Sequence, residues 1–118
     1  MNIALLLRIA DRIAKQPEAF DMREWVAKSD CGAEASIAGW AMLLTDVEPA
    51  FGSSDQAHET NFNHSAELLG LSLPQAQSLF HLHRWPTEFW WEYKAAKTAE
   101  EAATVAVRRI HHFIEMGV

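Results

Sequence analysis

The chain has 118 residues, one cysteine and a formal net charge of −6, with 49% hydrophobic and 22% charged residues. That length supports a single domain, residues 1–118, with its own apolar core, and the lone Cys31 excludes an internal disulfide, which fits a reducing, cytoplasmic setting. The opening run MNIALLLRIADRIAK is interrupted by Arg8, Asp11 and Arg12 and is too short to span a bilayer, so it reads as a core helix and not as a signal peptide.

In chain order, the first helix is expected from about Ile3 to Lys15. Ile3, Leu6, Leu7, Ala10, Ile13 and Ala14 recur at three-and-four spacing, and Pro17 stops the run. FDMREWVAK predicts a short second helix, with Asp21 and Glu24 as a capping box and Phe20 with Trp25 as its hydrophobic staple. SDCG then breaks the chain. AEASIAGWAMLLT predicts a third helix whose face carries Ile37, Trp40, Ala41 and Leu44. Its interior Gly39 costs about 1 kcal/mol relative to alanine, which implies close approach of another helix.

DVEPAFGSSDQAHET reads as a long acidic loop at about 46–60. A fourth helix is expected from about Phe62 to Leu69, ended by Gly70. Ser72 and Gln75 form a second capping box with Pro74 in the first turn of the next helix, and Pro86 starts TEFWWEYKAAK. Thr98 and Glu101 supply a third box, and Gly117 ends the last helix after Val105, Ala106, Ile110, Phe113 and Ile114. No segment shows a strand period. The expectation is an all-α fold, a single compact, partly orthogonal bundle of six or seven short helices.

Charge is unevenly placed. Between Lys28 and Arg84 there is no Lys or Arg, while Asp30, Glu34, Asp46, Glu48, Asp55, Glu59 and Glu67 all fall there. Such an interval repels phosphate and favours cationic partners.

Residues 66–83, AELLGLSLPQAQSLFHLH, have helix-turn-helix spacing at Ala66, Gly70 and Ala76 and offer Gln75, Gln77 and Ser78 as base readers. A DNA-binding regulator is therefore the alternative reading. The same small residues suit any tight helical corner, and the stretch lacks the cations that phosphate contacts require, so nucleic acid is disfavoured. Cys31 before a helix, with His58 or His64 as base, would make a thiol enzyme, a weaker reading than a structural cysteine. His81 and His83 diverge if helical, and HETNFNH lacks zinc-protease spacing, so neither metal nor cofactor is expected. Adjacent Trp90 and Trp91 point about 100° apart on a helix and cannot share one narrow buried stripe, which marks them as interface candidates.

CGAEASIAGWAMLL followed by AELLGLSLPQAQSLFHLHRWP resembles a group of small uncharacterised proteins of bacteria and their phages, over roughly residues 20–115. The group shares a Cys-Gly opening, an Ile-Ala-Gly-Trp-Ala helix, then Leu-Gly-Leu, Leu-Phe and Trp-Pro. Some members carry a second cysteine where this chain has Ser36. The resemblance implies an all-helical fold and a phage or mobile-element origin, and supplies no activity. Together these readings predict a non-enzymatic protein-interaction module. It would inhibit a basic host protein, with Glu48, Asp55 and Glu59 meeting its charge and Trp90 or Trp91 as apolar anchor.

Overall fold

In the computed structural model, residues 1–29, 32–50 and 54–118 are described. Helix α1 spans Ile3–Lys15, and the Asn2 side chain caps it by accepting the Leu5 N–H at 3.0 Å. The Asn2 backbone N–H donates to the Leu69 carbonyl at 2.7 Å, which ties this entrance to the far end of a later helix. The buried stripe is Leu5, Leu6, Ile9, Ala10 and Ile13, whereas Ile3, Leu7 and Ala14 are exposed. ALLLRIA offers two overlapping stripes of the same period, and docking against the C-terminal helix selects the one containing Leu5 and Ile9.

The helix expected over FDMREWVAK does not form. Asp21 accepts the Arg23 N–H two residues on, at 2.9 Å, making a tight turn in place of a helix cap. The chain then extends as β1, Val26–Ser29, antiparallel to β2, Gly32–Ala35, with Val26 opposite Ala35. Both staple residues are recruited elsewhere: Phe20 packs edge-on to Tyr93 at 6.2 Å, and the Trp25 indole bonds to His58. Contacts distant in sequence thus override a local capping signal. Gly32 adopts φ +115°, a conformation that suits glycine at the start of the returning strand.

Helix α2, Ile37–Leu43, begins later than expected because Ala33–Ala35 belong to β2. Ser36 caps it, its Oγ accepting the Gly39 N–H at 3.3 Å. Every residue from Ile37 to Met42 is buried, so α2 is the central helix, covered all round. A Cβ on Gly39 would lie 1.7 Å from the Trp25 carbonyl oxygen. The close approach anticipated at Gly39 is real, but it comes from the turn before the hairpin and not from a helix.

Helix α3, Asp55–Leu69, starts seven residues earlier than expected, capped by Ser54 and ended by Gly70 at φ +63°. The acidic loop is correspondingly shorter, and Asp55 and Glu59 are helical. Buried Asn61 brackets Ala50, donating to its carbonyl at 2.9 Å and accepting its N–H at 2.8 Å, which pins the approach to α3. Ser65 Oγ donates to the Ala38 carbonyl at 3.0 Å where α3 crosses α2.

Helix α4, Leu73–Phe80, carries the full Ser72–Gln75 capping box. A 3-10 turn at Leu82–Arg84 leads to α5, Thr87–Ala95, and α6, Ala99–Met116, closes against α1 and α5. Thr98 caps α6, but the Glu101 carboxylate accepts from the Lys97 N–H at 2.7 Å and not from Thr98, so the third box is offset by one residue. The fold is an all-α bundle with one small hairpin appended.

Candidate protein-interaction surface

Glu48, Asp55 and Glu59 are all exposed. Glu48 lies in the loop after α2, while Asp55 and Glu59 stand one turn apart on the same face of α3. The ion pairs Lys15–Asp11, Arg23–Asp21 and Arg108–Glu92 lie within the two cationic flanks of the sequence. Among the described residues, Asp55, Glu59 and Glu67 hold no cation.

Trp90 and Trp91 sit apart from these acids, on α5, which packs on α6. Trp91 is 60% exposed, Trp90 is half-buried, and their rings meet edge to face at 4.6 Å. Lys94 lies 6.0 Å above the Trp90 ring. The adjacent pair therefore differs in burial, as their places around the helix require, while the two rings stay in contact.

Charge pattern alone misses a groove of about 450 Å³ between the turn before β1, the first turns of α3 and the end of α4. Its walls include Glu24, Trp25, His58, Glu59, Phe62 and Gln77. The Trp25 indole N–H donates to His58 Nδ1 at 2.7 Å, which leaves the ring proton of His58 on Nε2. Phe62 stacks on His81 at 5.6 Å with the planes 10° apart, and it meets Phe80 edge-on at 5.7 Å. Burial pushes His81 below the usual histidine range, and the charges of His83 and Arg84 push it the same way. Arg23, at the rim, is held by Asp21 through two side-chain bonds of 3.1 and 2.9 Å. Those bonds in turn keep the Asp21 carboxyl below its ordinary range. Of this lining, sequence reading marked Glu59 for partner binding and weighed His58, Gln77 and His81 only for other chemistries, without bringing them together. His58 and Phe62, one turn apart, would have pointed to the groove had residues 55–61 been read as helix.

The helix-turn-helix readers fare unevenly. Gln75 is engaged at both ends of its amide, accepting from the Ser72 N–H at 3.0 Å and donating to the Gly117 carbonyl at 3.3 Å. Ser78 accepts from Arg109 at both its carbonyl and its Oγ, each at 3.0 Å. Gln77 alone faces the groove. Arg109 is fully buried among Trp85, Phe89 and Phe113, and also donates to the Val118 carbonyl at 2.9 Å. Its Nε has no hydrogen-bond partner, and burial pushes its pKa down to about 10.

His81 and His83 do not diverge as a helix would have them. The chain is extended at His81, and the rings stack at 5.6 Å. Among the described residues no group of three or more His, Cys, Asp or Glu side chains could hold a metal. Cys31 lies outside the described residues. Among the described residues no helix is long and apolar enough to cross a membrane.

No family model, curated protein or solved structure matches this chain.

Proposed function

We propose that this chain is a non-enzymatic protein-interaction module that binds a basic protein partner through an acidic surface comprising Glu48, Asp55 and Glu59. The observation that carries the reading is the exposed face of α3, where among the described residues Asp55 and Glu59 hold no cation, while Lys15, Arg23 and Arg108 pair with acids of their own flanks. Carboxylates left in water at close spacing attract basic surfaces and accelerate their encounter, and they repel phosphate. Trp91, with Trp90 beside it, offers a large exposed aromatic of the type that anchors interfaces. The resemblance of the motifs to bacterial and phage proteins makes inhibition of a host protein the fitting biological form. The internal engagement of Gln75 and Ser78 argues against base reading by α4.

The test is reversal of Glu48, Asp55 and Glu59 together to lysine. Immobilised wild-type chain is expected to retain basic proteins and a decalysine peptide at low salt and release them as salt rises. The triple variant is expected to lose that retention with an unchanged circular dichroism spectrum. Undiminished retention would overturn the reading.

A further inference from the structure

We infer that the groove between the pre-hairpin turn and α3 receives an arginine side chain of the partner protein, its guanidinium set against the ring walls and paired with Glu24 and Glu59. This rests on the basic-partner reading above and deepens it by naming the residue recognised and the place that recognises it.

The volume, about 450 Å³, lies in the range of small-ligand sites and exceeds what one extended side chain occupies. The walls combine two chemistries. Trp25, Phe62 and His58 supply aromatic surface, while Glu24 and Glu59 supply exposed carboxylates that form no hydrogen bond or ion pair among the described residues. Gln77 adds an amide. Among the described lining residues Arg23 is the single cation, and its guanidinium is already neutralised by Asp21. The groove therefore keeps an excess of negative charge, which excludes phosphates and carboxylates as occupants.

Planar guanidinium is favoured over ammonium for two reasons. It stacks on aromatic faces while its edge donates in a fork to carboxylates, whereas ammonium is a strongly hydrated point charge. The ring walls are also braced beforehand. The Trp25 indole N–H is spent on His58, and Phe62 is held between His81 and Phe80, so little side-chain freedom is lost on binding. The chain's own Arg109 shows the same preference, sitting among three aromatic rings with carbonyls at its edge.

The experiment is a titration of the isotope-labelled full chain, followed by amide and indole NMR, with capped Gly-Arg-Gly, Gly-Lys-Gly and Gly-citrulline-Gly peptides at low salt. The arginine peptide is expected to shift the Trp25 indole signal and the amides from His58 to Phe62 saturably. The lysine peptide should bind at least about threefold more weakly, and the uncharged citrulline peptide should give no saturable shift. Glu24→Gln, which lies outside the three-residue acidic surface, should weaken the arginine peptide about tenfold while leaving decalysine retention within about twofold. Equal shifts with citrulline, shifts centred on Trp90 and Trp91, or an unaltered response in Glu24→Gln would each overturn the inference. Decalysine retention with a silent arginine peptide would remove the groove assignment and leave the basic-partner reading standing. Silence of both probes would remove both.

Discussion

Arg109 and Glu59 both sit beside aromatic side chains, yet one is sealed between α4 and α6 and the other opens to water on α3. The buried guanidinium is answered by main-chain oxygens of Ser78 and Val118 and by ring faces, with Nε unpaired. Its charge is costly to hold, and the lowered pKa is the signature of that cost. Glu24 and Glu59 are exposed to water, so holding them costs the fold little. One region spends polar chemistry on cohesion; the other leaves it unspent.

The comparison breaks first if the interior is not cohesive. Arg109→Ala is expected to cost about 3–5 kcal/mol, because Ser78 and Val118 lose their donor and a void opens among three rings. Arg109→Met should cost markedly less, since it keeps bulk and removes the buried charge. Urea unfolding of both variants checks this, and equal losses would contradict it. Trp40→Ala should fall in the same range of about 3–5 kcal/mol, as it removes a buried ring and the indole bond to the Ala19 carbonyl at 3.1 Å.

Gly39 bears on the groove, because the Trp25 carbonyl that presses on it belongs to a residue of the groove wall. Gly39→Ala is expected to cost about 3 kcal/mol, and Gly39→Leu more, since the obstructing atom is backbone and cannot rotate away. Gly39→Ala should also shift the Trp25 indole signal. A stable Gly39→Ala protein with an unmoved Trp25 would disprove the contact.

The two faces of α4 give a finer contrast. Gln75→Ala should cost about 1 kcal/mol through the lost capping box and the freed Gly117 carbonyl. Gln77→Ala, on the groove side, should stay within about 0.5 kcal/mol. Thermal midpoints separate these.

A comparably small effect, but one that depends on pH, is expected at Asp21. Its carboxyl is held below the ordinary value chiefly by the Arg23 side chain. The contribution is therefore complete above the unfolded value of about 3.9 and disappears as pH falls through the lower folded value. Asp21→Asn should cost about 0.5 kcal/mol at pH 7, and this deficit should fade as pH falls through the lowered folded value. A deficit that persisted in acid would assign the effect to the turn and not to the charge.

Several elements were legible in the residues alone because their causes are local. Helix α1 runs where its apolar period and Pro17 place it, the Ser72–Gln75 box forms, and Gly70 and Gly117 terminate helices in the left-handed conformation that glycine reaches without strain. The basic-free interval was equally plain, and it marked Glu59. The hairpin was not legible: Asp21 and Glu24 carry a sound helix signal, but Phe20 and Trp25 gain more from Tyr93 and His58 than a short helix could return. Nor was the groove, whose Trp25 and His58 are 33 residues apart and whose assembly waits on α2, α3 and α4 packing together. Sequence by itself determined helix ends and the sign of charge along the chain, since both depend on neighbours a few residues away. Tertiary structure alone decided which stripe of α1 is buried, where the strands lie and which rings meet the acids, because those depend on apolar burial between segments that the chain must first bring together.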